Sequence, residues 1–411
     1  NGLPPDVPTR VVREDPRQAS LLYAATQHGV FVSFDRGRAW EPLQLDLPPA
    51  AVNDLTVHGD DLIAATWGRA LWALDNVTPL RQVAAVRADS APVFLFEPAP
   101  AVRVRWDNNQ DTPLPPEVPQ GQNPPDGIAI DYYLRGAVSG PVTLSIHDGS
   151  GALVREYDNV APPPDTRMPS VSAVWFKPPV TTSTAAGMHR LVWDLRYPTP
   201  PALAFGADGT EADTVSFGII ATAVIGESPK QQPVGSLVLP GTYQVTLTAG
   251  GRTVTRSLTV TNDPRSEASP ADLEEQFRHE RALALGLETS RTAIEAVQGL
   301  RQSARRVAAG RASVSEAVAA FERAALAVIS SLAGNRGLAG QLAKLEFADL
   351  RPTSSAVAAV TRLCARADTS LDQYRQFIAA DVAAVNVALA SAGLAGIPAP
   401  TAPPATACGP R

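Results

Sequence analysis

The sequence predicts a multidomain chain, mainly β and then α. Residues 1–90 read as the last one to two blades of a β-propeller, and 91–264 as an Ig-like or fibronectin-like β-sandwich. Residues 265–396 read as an antiparallel three-helix bundle, and 397–411 as a disordered Pro/Ala tail. Three observations lead there. A short text recurs near the N-terminus at a spacing of 40 to 44 residues. The middle of the chain has short strand-like runs between Gly- and Pro-rich turns. After Asp263-Pro264 the composition turns abruptly to Ala, Leu, Arg and Glu. A chain of 411 residues is long enough for two to four domains, each with its own core.

The recurring text is "LLYAATQHGVFVSFD" at Leu21 and "DLIAATWGRALWALD" at Asp61. Ala24-Ala25-Thr26 matches Ala64-Ala65-Thr66 and Asp35 matches Asp75, both at an offset of 40, while "LPP" at Leu3 matches "LPP" at Leu47 at 44. Each copy alternates around a tight turn, the first at Gln27-His28-Gly29, and repeats of this length with several short strands are the signature of propeller blades. The apolar residues Leu21, Tyr23, Val30 and Val32 are expected to face a further blade.

The first copy ends in "SFDRGRAW", a Ser-x-Asp-x-Gly-x-x-Trp Asp-box made of Ser33, Asp35, Gly37 and Trp40. Each residue has a mechanical role. Asp35 accepts backbone N–H groups of its own turn, Gly37 permits a positive φ, Ser33 bonds locally, and Trp40 folds its ring back to close the hairpin. The motif therefore reads as structural.

The middle contains "IAIDYYLRG", "GPVTLSIHDGSGALVREY", "HRLVWDLRY" and "GTYQVTLTAGGRTVTRSLTVT". The last is a hairpin with Gly250-Gly251 at its tip, and Asp148-Gly149-Ser150-Gly151 makes another turn. Pro-rich connections at 113–125 and 161–165 are expected as long surface loops.

Ser269-Pro270-Ala271-Asp272 is a helix start with an N-cap, a first-turn proline and an acid three residues on. Ser313 to Glu316 repeats the signal, followed by a stripe at Val314, Val318, Phe321, Ala325, Val328 and Leu332. A third stripe runs through Ala356, Val360, Leu363, Ala367, Leu371, Tyr374, Ile378, Val382, Val385 and Leu389, which is one long amphipathic helix. Three such helices make an antiparallel bundle.

The ordered series from "LYAATQHGVFVSFDRGRAW" through "NPPDGIAIDYYL", "LVWDLRYPTP", "LPGTYQVTL" and "NDPR" resembles the end of large bacterial BNR-repeat (Asp-box) propeller proteins. Such proteins are often labelled glycosyl hydrolase or sortilin-like. The resemblance covers roughly residues 1 to 390. It implies a propeller followed by an Ig-like region and a helical C-terminal region, and a secreted, periplasmic or cell-surface location. Trp67 departs from it, standing where His is expected. The chain opens "NGLPPDVPTR", which reads as a fragment, so upstream blades of the same parent chain are expected as partners. The role expected is non-catalytic: closing the propeller and providing a spacer or a surface for a carbohydrate or protein ligand. The alternatives are part of a glycoside hydrolase with a sialidase- or xyloglucanase-like propeller, its catalytic residues in upstream blades, and a sortilin-like protein-binding scaffold.

The net charge of −6 gives no reason to expect nucleic acid. Residues 266–396 carry 14 acidic and 14 basic side chains, a balance that fits a solvated outer face. The sequence shows no apolar run of the ~18 residues that span a bilayer. Five His form no metal-ligand spacing, and no cofactor motif appears. His147 and His279 are expected to be solvated. Glycoside hydrolysis uses two carboxylates flanking one bond. Asp54, Asp60, Asp61 and Asp75 are the acids available in the two copies. No catalytic residue is assigned, and Asp54, in a strand context, is the one candidate for a cleft. Trp67 and Trp72 could stack on a sugar, but a Trp in a blade is more often core. Cys364 falls on the third stripe as a small buried hydrophobe, and Cys408 is expected as a free thiol.

Overall fold

The computed structural model describes residues 1–105, 126–160, 178–203, 234–398, 400 and 404–409. The expected loops at 113–125 and 161–165 lie outside the described residues. The described chain is mixed β and α, with four sheets followed by helices.

Strands β1 (Thr9–Asp15), β2 (Gln18–Thr26), β3 (Gly29–Ser33) and β4 (Glu41–Pro42) form one antiparallel sheet in that order. Strands β5 (Val52–His58), β6 (Asp61–Thr66) and β7 (Leu71–Leu74) form a second. Leu21, Tyr23, Val30 and Val32 are all buried, and they share one core with Val52, Leu55, Leu62 and Ala64 of the second sheet. The face expected to meet a further blade is therefore covered by the sheet that follows it. Alternation puts Leu21 and Tyr23 of β2 on one face, as it does Val30 and Val32 of β3, and the sheet of β5 and β6 buries them.

The two hairpins are copies with one difference. Thr26 pairs with Gly29, leaving a two-residue turn, and Gly29 has φ 119°. In the second hairpin the Thr66 N–H donates to the Ala70 carbonyl at 3.2 Å, so the turn holds three residues, Trp67, Gly68 and Arg69. Gly68 and Ala70 have φ of 73° and 62°. The extra residue moves the register. Ala24 pairs with Phe31, whereas Ala64 pairs with Trp72. Trp72 is thus the counterpart of Phe31, Leu71 of Val30 and Leu74 of Ser33. This corrects the constant offset of 40: beyond the turn Asn76, not Asp75, corresponds to Asp35.

After the short helices α1 (Thr78–Arg81) and α2 (Val83–Ala88) come two sheets that share a core. Strands β8 (Val93–Leu95), β10 (Ile128–Leu134) and β13 (Gly187–Trp193) pair in the order β13-β10-β8. Strands β9 (Ala101–Arg103), β11 (Val142–His147), β12 (Leu153–Tyr157), β14 (Gly241–Ala249) and β15 (Arg252–Asn262) pair in the order β12-β11-β14-β15-β9. Ala249 pairs with Arg252 across Gly250-Gly251, whose φ angles of 55° and 75° suit a two-residue turn that glycine makes without strain. Trp193 is fully buried, edge-on to Tyr243 with ring centroids 5.8 Å apart.

The helices are α3 (Pro270–Ala308), α4 (Ser315–Ala333), α5 (Gly337–Leu345), α6 (Ser354–Phe377) and α7 (Ala383–Ser391). Ser269 and Asp272 form the expected reciprocal cap. The second start differs. A 3₁₀ turn over Ala312–Val314 precedes α4, and Ser315 Oγ donates back to the Ala312 carbonyl at 2.9 Å, so Ser313 does not cap the helix. A π turn over Ile378–Val382 joins α6 to α7. Seven of the ten third-stripe residues are buried in the helical core, and Ala356, Leu363 and Ile378 pack against it.

Two expectations about the C-terminus are corrected. Cys408 forms a disulfide with Cys364, with Cα atoms 5.8 Å apart. The described tail residues are placed on the helices, with Ile397 and Ala407 buried. The physical reason is a set of local anchors. Asn386 exchanges two hydrogen bonds with Ile397 at 2.7 and 3.1 Å, and Asp368 accepts the Ala407 N–H at 2.7 Å. The helical stretch Ala312–Leu345 contains an 18-residue window with mean hydropathy 1.4, long and apolar enough by composition to cross a membrane. Phe321, Ala325, Ile329, Leu338 and Leu342 of that stretch lie in the helical core.

Candidate functional site

The Asp-box closes on itself. Ser33 Oγ accepts the Gly37 N–H at 2.8 Å and donates to Asp35 Oδ1 at 2.9 Å. Asp35 Oδ1 also accepts the Ala39 N–H at 2.9 Å, and Trp40 Nε1 donates to the Gly37 carbonyl at 3.1 Å. The Ala39 N–H, then the Ser33 hydroxyl, hold the Asp35 carboxyl below its ordinary range. Beside it lies a shallow hollow of about 380 Å³ lined by Phe34, Ala39, Glu41 and Arg87. Arg87 bonds both Glu41 oxygens, at 2.6 and 2.8 Å, and lies over the Phe34 ring, so the Glu41 charge is met within the hollow.

Asp54 lies on β5 in an exposed ion pair, its Oδ1 accepting Arg13 Nη2 at 2.7 Å. Arg13 Nε donates to the Leu55 carbonyl at 2.8 Å, so the pair fastens β1 to β5. Asp60 takes Arg17 at 2.7 Å and also Arg81. The Arg81 Nε lies 3.0 and 3.1 Å from the two oxygens of the buried Asp15. Asp75 is different: burial, and then the neighbouring Asp61, push its carboxyl up, while Arg190 opposes the shift. Asp61 accepts the Asn76 N–H at 2.9 Å.

Trp67 and Trp72 are 73 % and 37 % exposed, with Leu71 at 73 %. This corrects the expectation that such tryptophans are core. β7 is the last strand of its sheet, and its outer edge has no partner strand among the described residues. In the first sheet β4 occupies that place.

Among the described residues the densest group of buried charges is one to which no sequence motif points. It lies where the five-stranded sheet meets the helices. Arg105 bonds Asp349 at 2.5 Å, Glu346 at 2.6 Å and Glu280 at 3.2 Å. Arg103 takes Asp349 at 2.7 Å and Arg196 takes Glu346 at 2.5 Å. Burial, then the charge of Glu346, push the Glu280 carboxyl well above its ordinary range. Burial also acts on Glu346, but Arg105 and Arg196 outweigh it and hold that carboxyl low. The group welds the sheet to the helices. Its trace in the sequence was Glu280 at core spacing between Gln276 and Leu283. His279 beside it is half-buried, not solvated, and burial lowers its pKa.

Among the described residues no group of three or more His, Cys, Asp or Glu is placed to hold a metal ion. No protein-family model, curated protein or solved structure matches this chain.

Proposed function

We propose that the chain is the non-catalytic C-terminal portion of an exported Asp-box propeller protein. On this reading the two N-terminal sheets are its last blades, the middle pair of sheets an Ig-like spacer, and the helices an antiparallel bundle. One observation carries the reading. Two successive small sheets of like strand order pack face to face, and the second lacks the strand that β4 supplies in the first. The open β7 edge, with Leu71 and Trp72 exposed, is the place where a strand from elsewhere in the parent polypeptide completes the blade. The box supports a structural role, since Ser33 and Asp35 direct their hydrogen bonds into their own turn. The Cys364–Cys408 disulfide supports an oxidising compartment.

A glycoside hydrolase is the second reading, and one observation favours it: Asp75 holds its proton more tightly than an ordinary carboxyl beside Asp61, the kind of pairing acid–base chemistry uses. Assay of the purified chain on aryl glycosides tests whether these acids are catalytic. No turnover is expected. Turnover that disappears in Asp75→Asn or Asp54→Asn overturns the non-catalytic reading.

A further inference from the structure

The cleft between the two middle sheets is closed by apolar side chains along most of its length and opens at one end. That end is formed by β8 and by the first half of β15. Strand β9 pairs with β15 only at Val260, Thr261 and Asn262, so among the described residues no strand pairs with the β15 edge from Arg252 to Leu258. The hollow there is about 360 Å³ and lies over the edge of β15, lined by Asp89, Val93, Phe94, Arg252, Thr253, Val254 and Arg256. This volume lies in the range of small-molecule sites, about 300–1,000 Å³.

The register of β15 decides where its arginines stand. Arg252, Val254 and Arg256 pair across the sheet with Ala249, Leu247 and Val245, all three fully buried. Cross-strand partners share a face. The arginines therefore occupy the core-facing side, in line with the buried Leu258 and Val260. The opposite face is marked by Thr253 and Thr255, which bond to Thr248 and Thr246 at 3.1 and 3.0 Å. Arg252 is exposed and Arg256 half-buried on this side, so both stay in reach of water, and a guanidinium with no carboxylate beside it is available to an anion. Elsewhere this chain supplies one: Arg81 has Asp15, Arg103 has Asp349, Arg190 has Asp131 and Arg196 has Glu346. Among the described residues neither Arg252 nor Arg256 has an ion pair.

The wall opposite is built. Arg135 donates to the carbonyls of Val86, Asp89 and Ala91 at 3.2, 2.5 and 3.4 Å, which clamps the segment carrying Asp89. Asp89 Oδ1 is taken by the Ala91 N–H at 2.8 Å. Phe94 presents its ring to the hollow, with the Arg256 guanidinium 5.8 Å from its centroid.

We propose that this mouth binds a small carboxylate with an apolar face. The carboxylate meets the two guanidinium groups, whose planar donors match its two oxygens, and the apolar face lies on Phe94. With Asp89 on the same wall the lining charges sum to +1, two arginines against one aspartate, which suits a monoanion better than a dianion. The site is independent of the role proposed for the β7 edge.

The test is a titration of the full chain, at low salt, with benzoate and glucuronate and with their neutral counterparts benzyl alcohol and glucose. Ligand-observed NMR and calorimetry report binding. Arg252→Gln, Arg256→Gln and, as a control on a remote exposed arginine, Arg10→Gln are compared at matched melting temperature. At least one carboxylate binds with Kd below about 10 mM. That affinity falls about tenfold or more in each cleft variant, is unchanged in Arg10→Gln, and the neutral counterpart does not bind. Absence of binding by both carboxylates, or binding that survives in both cleft variants, overturns the proposal.

Discussion

Phe31 and Trp72 stand at the same place in two copies of one hairpin, each opposite the first alanine of an Ala-Ala-Thr strand, yet Phe31 is 8 % exposed and Trp72 37 %. The difference lies in the next strand. Pro42 of β4 pairs with Phe31 on the side away from β2, and among the described residues no strand pairs with Trp72 on the side away from β6. Unpaired strand edges with apolar side chains associate with whatever strand is at hand. The chain alone is therefore expected to self-associate through β7 as concentration rises, and Trp72→Lys or Leu71→Lys to keep it monomeric. Sedimentation velocity across a concentration series checks this; a monomer at all concentrations speaks against an open edge.

The box makes a stability prediction without an activity one. Ser33→Ala leaves the Gly37 N–H without its acceptor and is expected to destabilise the chain by about 1–2 kcal/mol. Asp35→Ala lowers the melting temperature as well. The Asp35 carboxyl titrates lower in the fold than unfolded, so its contribution is present above pH 3.8 and fades as pH falls further. Thermal melts of both variants, run at neutral and acid pH, give the comparison. An unchanged melting temperature in Ser33→Ala contradicts the structural role.

Glu280 has the opposite sign. Its folded pKa lies above the ordinary 4.5, so the fold favours its protonated form. The stability it contributes is present below pH 4.5 and is lost as pH rises through the raised value. Glu346, Asp349, Arg103, Arg105 and Arg196 surround it, and the arginines limit the loss. Glu280→Gln, which imitates the protonated form, should flatten the decline in urea midpoint as pH rises above 4.5. A steeper decline in the variant would show that the ionised form is the one the fold prefers.

The disulfide encloses a separation of 44 residues, for which chain-entropy estimates give on the order of 4 kcal/mol of stabilisation. Cys408→Ser should lower the denaturation midpoint and make the tail after Ile397 the first site of proteolysis. Equal protease resistance with and without the bond contradicts the covalent strap.

Regular elements were readable where local chemistry decides them. The Gly250-Gly251 hairpin, the Ser269–Asp272 cap and the stripe from Ala356 to Leu389 each depend on residues near in sequence. The three-residue turn at Trp67 was not readable, because one extra residue in a loop leaves the apolar text intact while moving every partner after it. The tail was misread for a related reason: its Pro/Ala composition says nothing of Asn386, Asp368 and Cys364, which hold it from far back in the chain. The charge group around Arg105 joins residues up to 246 apart, and only Glu280, at core spacing, left a mark in the sequence. The exposure of Trp67 and Trp72 depends on the absence of a neighbour, which local sequence does not encode.

Hydrogen exchange at β7 tests the central claim most directly. Amides of Leu71 to Leu74 that do not bond to β6 are followed in this chain, held dilute and monomeric, and in the longer parent polypeptide that the proposed function calls for. The account predicts fast exchange in the chain alone and strong protection in the parent, with Trp72 fluorescence shielded from quencher only there. Equal protection in both, or an exposed Trp72 in both, contradicts a blade completed by a strand from elsewhere in the same polypeptide.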